Sequence, residues 1–396
     1  MTIDAFLVRI NPLPLLRGVL WRIGWAGAWL FGWILPAGPV AQAQDVDWLG
    51  AVTTPPATFF LERPGTVAPL LVDSQGAAIS NWQGWLAERE SLRQRWLAFL
   101  GPMPADRPGV RLEVLASEVV DGMEARDRSI VRRLVRYEGE SGLFVEGYLL
   151  HPEGAEKGSH PLPGIVALHP TSDASIEEIA GVRGSGSAKT GLKLAEKGFV
   201  VFCPRCFLWQ DGGSFDEAVA NHRRRHPETR GMAKMLYDAM RAVDVLESLP
   251  YVDRDRIGAI GHSLGAKEVL YLMAFDDRVQ AGVASEGGLG FRTTNWNAPW
   301  YLGPDIHDEA FPLNHHQLLG LIAPRPFLVL GGESGPGAAD GDRSWVLIDA
   351  ALPVWKLAGE PVRLGLLNHR EGHVLSDLSF DKLVQWMDTY TGRFSR

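Results

Sequence analysis

The sequence predicts an α/β fold, a mostly parallel central sheet with helices on both faces. Three observations carry this. From Gly164 to the C-terminus short apolar runs alternate with segments of helical spacing, and strands linked by helices pair in parallel. Upstream, Val110–Val120, Ile130–Glu138 and Leu143–Leu150 have strand patterns, the last two separated by the turn-like Gly139-Glu140-Ser141-Gly142, as in an antiparallel meander at a sheet edge. Finally, at Gly261-His262-Ser263-Leu264-Gly265 a strand pattern passes directly into a helical one. With 396 residues, 46% of them hydrophobic, the chain can bury a core of the size this fold needs.

In chain order, the first 43 residues read as an export signal. Arg9, Arg17 and Arg22 form a positive leader, Ile23–Pro36 is an apolar run, and Ala41-Gln42-Ala43 is a small-x-small cleavage site. Residues 44–109 read as an N-terminal helical extension packed on the main domain. Its best element is the helix from Trp82 to Leu100, stopped by Gly101-Pro102. Residues 110–396 form the main domain. After the meander, strands are expected at Gly164–Leu168, Phe199–Phe202, Ile257–Ile260, Val279–Ser285, Pro326–Leu330 and Val362–Leu367. Helices are expected at Ser187–Lys197, Gly231–Leu249, Ser344–Leu357 and Phe380–Tyr390. Beyond the leader no segment is long and apolar enough to span a bilayer. The expectation is a periplasmic or secreted protein without stable membrane insertion after signal cleavage. A formal charge of −8 with no basic face argues against a nucleic-acid partner.

In an open α/β sheet chemistry collects at the carboxyl ends of the strands, so each functional residue should lie just after one. Ser263 does. The flanking Gly261 and Gly265 permit a sharp strand-to-helix turn that lifts the serine hydroxyl clear and aims the amide of Leu264 at a developing oxyanion. A serine hydroxyl needs a base, and the base needs an orienting carboxylate. His373, after the last strand, is the expected base, with His369 its competitor. For the acid, Asp340 after Pro326–Leu330 is placed first, with Glu286 and Asp342 as alternatives; all three keep the order Ser, acid, His. The loop after Gly164–Leu168 should supply a second oxyanion donor. Because Pro170 has no amide hydrogen, that donor is expected at Thr171, and His169 is read as structural. No metal or other cofactor is required: His315 and His316 are assigned surface or capping roles, and Arg223-Arg224-Arg225 reads as a solvated face. Cys203 and Cys206 read as buried thiols or a local disulfide.

The segments Leu168-His169-Pro170-Thr171, Gly261–Lys267, Ile322-Ala323-Pro324-Arg325-Pro326 and Asn368–His373 resemble α/β-hydrolases of the dienelactone-hydrolase and acetyl-xylan-esterase type, with a further likeness to glucuronoyl esterases. The resemblance runs from about Val110 to the C-terminus. It implies an α/β-hydrolase fold and a serine carboxylic-ester hydrolase working through an acyl-enzyme, on small-molecule or polysaccharide esters of the acetyl or glucuronoyl kind. In glucuronoyl esterases an arginine follows the nucleophile and a lysine further on contacts the sugar; here Leu264 stands in place of the first and Lys267 keeps the second. Dienelactone hydrolases proper use a cysteine where this chain has Ser263. Lys267 and Glu286 are expected at the substrate, and so are Trp296 and Trp300, whose faces would stack on a sugar ring. Two other readings are a serine peptidase of the prolyl-oligopeptidase kind and an inactive binding protein on the same scaffold.

Overall fold

The computed structural model describes residues 45–391 apart from 63–66, 106, 123–127, 185, 211–212, 336 and 360. The expected leader, residues 1–43, lies outside the described residues. Three strands open the sheet: β1 (Glu113–Val120), β2 (Ile130–Glu140) and β3 (Leu143–Pro152), an antiparallel meander at one edge. Six more follow: β4 (Leu162–Leu168), β5 (Val200–Pro204), β6 (Val252–His262), β7 (Val279–Ser285), β8 (Phe327–Gly331) and β9 (Leu364–Asn368). Among the described residues the nine form one sheet in the order β1-β2-β3-β5-β4-β6-β7-β8-β9. β3 meets β5 antiparallel, and every pair from β5 to β9 is parallel. β5 and β8 are buried along their whole length, which is why they read as unbroken apolar runs.

The strand order reverses at β4. The chain moves outward from β4 to β5, then returns to lay β6 on the other side of β4. A crevice opens at the carboxyl ends of strands where the order switches. Thr171 follows β4 and Ser263 follows β6, so both fall at that point.

The helices, in chain order, are α1 (Leu49–Val52), α2 (Ala57–Glu62), α3 (Trp82–Leu100), α4 (Ile176–Ile179), α5 (Thr190–Glu196), α6 (Phe215–Arg225), α7 (Gly231–Glu247), α8 (Leu264–Phe275), α9 (His315–Ile322), α10 (Trp345–Ala358) and α11 (Asp377–Tyr390). They divide between the two faces. Leu92 and Trp96 of α3 share one core with residues of α7 to α10, while Leu194 of α5 and Phe380 and Trp386 of α11 share the other. Sequence reading did not mark α6 as a helix. Its mean composition is polar and only Ala218, Val219 and His222 are buried, but Ser214 caps its first turn by accepting from the Glu217 amide at 3.2 Å. Arg223 and Arg224 fall in its exposed last turn, where cations complement the helix dipole.

α3 buries Trp85, Leu92, Trp96 and Leu100, a spacing that keeps them on one face. Trp96 donates from Nε1 to Gln317 at 3.1 Å, stacks on His315 and meets Tyr271 edge-on. Arg89 donates to the Leu321 carbonyl at 3.1 Å and pairs with Asp277 at 2.6 Å. The extension thus packs directly on α8 and α9, and the described residues fall in one compact unit. Trp96→Ala should lower stability by about 3–5 kcal/mol, read as the urea midpoint, while Leu86→Ala on the exposed face of α3 should move it by less than about 0.5 kcal/mol.

Candidate active site

Ser263 sits between β6 and α8 with φ 57° and ψ −115°, a conformation that L-residues avoid at a cost of roughly 1–3 kcal/mol. It is held there from both sides. Its amide donates to the Ser285 carbonyl at 2.8 Å, and its carbonyl accepts from Lys267 at 3.3 Å. The turn closes only because two residues lack a Cβ. One on Gly261 would lie 2.3 Å from the Gly265 backbone, and one on Gly265 would lie 2.1 Å from the Leu168 carbonyl. The Ser263 side chain makes no capping bond to α8, so its hydroxyl is not engaged as a helix cap.

His373 opens onto the same cavity as Ser263, a space of about 420 Å³ whose apolar wall includes Leu168, Ile179, Ile260 and Leu375. Its Nδ1 lies 3.9 Å from Glu286 Oε2, outside direct hydrogen-bond distance but aligned by position as a base and carboxylate would be before substrate arrives. Glu286 is almost fully buried and accepts on Oε2 from the amides of Ala339 at 2.8 Å and Asp340 at 3.3 Å. Burial alone would raise its pKa, but the nearby His369 and His373 rings together with these amides outweigh that and bring it to about 2. His369, the competitor for the base, stands on the far side of the carboxylate, its Nε2 3.4 Å from Oε1. Its Nδ1 accepts from the Glu371 amide, so the neutral ring carries its proton on Nε2, facing Glu286. His262 packs against His373 with ring centroids 4.8 Å apart. Burial and then the neighbouring His373 lower its pKa to about 4, so it stays neutral and adds no repelling charge.

The expected acid, Asp340, is not at His373. Its carboxylate accepts from the amides of Gly288 at 2.8 Å and Leu289 at 2.9 Å and from the Ser344 hydroxyl at 2.6 Å. Two neighbouring loops therefore clasp each other: Asp340 ties down the loop after β7, and the amides beside Asp340 hold Glu286 of that loop. Asp342 faces elsewhere, accepting from Thr58 at 2.6 Å, Asn368 at 2.8 Å and Arg370 at 2.9 Å.

Three of the expected substrate contacts are placed away from the cavity beside Ser263. Glu286 is sequestered among the histidines. Trp296 is 1% exposed, donates from Nε1 to the Gly288 carbonyl at 2.6 Å and packs on Tyr271 and His315, so it is core and has no free face for a sugar. Lys267 is equally buried. Its Nζ donates to Thr294 at 3.2 Å and lies 4.3 Å from the Trp296 ring centroid, and burial, partly opposed by Asp340, lowers its pKa to about 7. The half-buried Trp300 meets Phe215 edge-on with centroids 5.7 Å apart.

His315 bonds the Leu289 carbonyl at 2.8 Å and Tyr271 at 3.0 Å, and His316 bonds the Ala68 carbonyl at 3.0 Å; both are buried, against the surface role expected of them. Among the described residues no group of His, Cys, Asp and Glu is arranged to hold a metal ion. Cys203 and Cys206 are separate buried thiols whose pKa burial pushes up. No helix of the described residues is long and apolar enough to cross a membrane.

A parallel sheet with an antiparallel edge, a serine at a strained turn between strand and helix, and a histidine after the last strand define an α/β-hydrolase. Within it, residues 145–315 match the model of the dienelactone hydrolase family. A glucuronoyl esterase from Solibacter usitatus has a similar structure, with a TM-score of 0.67 and 20% identity over 83% of this chain and 99% of that one. Among sequences, the 4-O-methyl-glucuronoyl methylesterase of Phanerochaete carnosa is 26% identical over 210 residues, 41% of this chain and 48% of that protein. The 4-O-methyl-glucuronoyl methylesterase 1 of Sodiomyces alcalophilus is 29% identical over 125 residues, 25% of each. The matched part of this chain thus spans a quarter to about half the length of these two relatives.

Among the described residues six histidines have pKa values lowered chiefly by burial: His169, His222, His262 and His316 to about 4, His315 to about 3, and His151 in the same direction. In the unfolded chain each titrates near 6.5 and binds a proton that the folded state refuses. Stability should therefore fall as pH drops from about 6.5 toward 4, by up to about 1.4 kcal/mol per pH unit per histidine. Glu286, with its lowered pKa, adds a loss only as pH falls from about 4.5 toward 2. Urea midpoints between pH 7 and pH 5 check this. A flat profile there would mean that the histidines are not held neutral.

Proposed function

We propose that the protein is a serine carboxylic-ester hydrolase acting through an acyl-enzyme, on carbohydrate esters of the glucuronoyl or acetyl kind. The observation that carries the reading is Ser263 held at the strained turn, on one cavity with His373 and with Glu286 behind that ring. Ser263 Oγ attacks the ester carbonyl carbon while His373 takes the hydroxyl proton. The amides of Leu264 and Thr171 bind the resulting oxyanion. Leu264 is the first residue of α8, where helix amides have no intrahelical acceptor, and Thr171 lines the cavity. Collapse expels the alcohol, protonated by His373, and leaves the acyl group on Ser263. Water, deprotonated by His373, then attacks the acyl carbonyl and releases the acid.

In this reading Glu286, in place of Asp340, is the carboxylate that orients His373. It keeps the order Ser, acid, His, and His369 supports its second oxygen. The substrate class rests on the likeness to glucuronoyl methylesterases together with the apolar cavity, whose walls among the described residues include no arginine or lysine and a single carboxylate, Glu178. Such a wall suits an uncharged ester rather than a free acid. Export belongs to the same proposal: a signal over residues 1–43 would be removed after Ala43, and N-terminal sequencing of protein recovered from the periplasm or medium should begin at Gln44.

The test is hydrolysis of p-nitrophenyl acetate, acetylated xylan and a methyl glucuronate ester by the chain from residue 44 onward. Ser263→Ala should lose at least about 10⁴-fold in kcat on whichever ester is cleaved. Failure of the wild type on all three, with no labelling by a fluorophosphonate, would sink the enzyme reading in favour of a binding protein. Glu286→Gln should cost about 10²–10⁴-fold in kcat. Asp340→Asn should lower stability by about 1–3 kcal/mol while folded enzyme keeps kcat within about tenfold. The reverse ranking would return the acid to Asp340.

A further inference from the structure

His169 follows β4 directly, yet its ring is turned away from the cavity that Thr171 and Ser263 line, into the protein. It is 1% exposed and fully engaged. Nε2 accepts from the Cys206 amide at 3.1 Å and lies 3.2 Å from the Ser175 hydroxyl. An accepting Nε2 places the proton of the neutral ring on Nδ1, and Nδ1 lies 2.8 Å from the Pro170 carbonyl, to which it therefore donates. Burial, which lowers the pKa of this histidine to about 4, keeps that tautomer neutral at any pH where an esterase would be assayed. The Trp209 ring, edge-on at 4.8 Å, closes the remaining side.

The consequence follows from peptide geometry. The Pro170–Thr171 bond is trans and planar, so the Pro170 carbonyl and the Thr171 N–H point in opposite directions. Fixing the carbonyl on a buried imidazole fixes the direction of the amide on the other side. We infer that His169 is a positioning residue for the oxyanion site: by holding the Pro170 carbonyl it aims the Thr171 amide at the oxygen of the tetrahedral intermediate, and through Nε2 it anchors this loop to the Cys206 turn after β5. The inference rests on the serine-esterase reading above and assigns a task to His169 and to Cys203-Pro204-Arg205-Cys206, whose thiols that mechanism does not use. A donor that rotates away from the oxyanion costs binding of the transition state and leaves binding of the neutral ester almost untouched.

Two substitutions separate this from ordinary packing. In His169→Asn the amide nitrogen lies one bond from Cγ, as Nδ1 does, and can still donate to Pro170, but the bond to Cys206 is lost. In His169→Gln the longer amide reaches toward Cys206 and the bond to Pro170 is lost. Rates are taken on p-nitrophenyl acetate per active site, counted by fluorophosphonate labelling carried to completion, beside Ser263→Ala and the thermal midpoint of each variant. The expected result is that His169→Asn stays within about fivefold of wild type in kcat per site, while His169→Gln falls by about 100-fold with KM changed less than threefold. Rates of initial labelling should fall in the same order. Equal per-site kcat in the two variants, whether both high or both low, overturns the inference while leaving the esterase standing. Wild type that neither turns over the ester nor labels overturns the esterase reading and this inference with it.

Discussion

The arrangement depends on one close approach, that of α8 to the ends of β4 and β6. The Gly265 position touches the Leu168 carbonyl and the Gly261 position touches Gly265, so the helix begins as near to the sheet as backbone permits. That proximity forces Ser263 into its strained conformation and sets the first amides of α8 beside the loop after β4. Side chains anywhere in this contact would push the helix outward and separate the serine from the loop that carries Thr171. The strain is affordable because the sheet around it is parallel, buried and continuous, with β6 bonded on both sides along its apolar stretch.

What the sequence made legible was local. Strand, turn and helix at Ser263, the histidine after β9 and the loop after β4 each follow from neighbours in the chain, because a glycine pair or an apolar run dictates its own geometry. The acid was different. β7 and β8 are adjacent and parallel, so Glu286 and Asp340 leave the sheet at nearly the same level. Which of them faces His373 is decided by hydrogen bonds between loops: Asp340 is consumed by the Gly288 and Leu289 amides, and Glu286 is presented by those of Ala339 and Asp340. The left-handed backbone at Glu286, φ 56°, is part of that presentation, and a non-glycine residue gives no sign of it in sequence.

Burial was the second thing that neighbours in the chain did not reveal. Trp296 and Lys267 have the residue types of a carbohydrate site, but the segment Leu289–Leu302 folds back over α8 and α9, and the two side chains meet each other inside. Composition suggested a stacking platform because aromatic and basic residues serve both purposes, and only the packing of α3 behind His315 and Tyr271 closes the space. His315 and His316 follow the same logic. Their neighbours in sequence suggest a helix surface, and their neighbours in space are Leu289, Tyr271 and Ala68.

These placements bear on how negative charge would be stabilised at the serine. Leu264 supplies no side-chain cation, Lys267 is turned into the core, and among the described residues no arginine or lysine lines the cavity. His262 is neutral near pH 7. In the proposed mechanism the oxyanion has backbone dipoles as its principal partners, and a dipole is effective only when its direction is fixed before the charge appears. The Leu264 amide is fixed by the helix that it begins. The Thr171 amide belongs to a loop rather than to a helix, and on the inference above its direction comes from the bond made at the Pro170 carbonyl of the same peptide group.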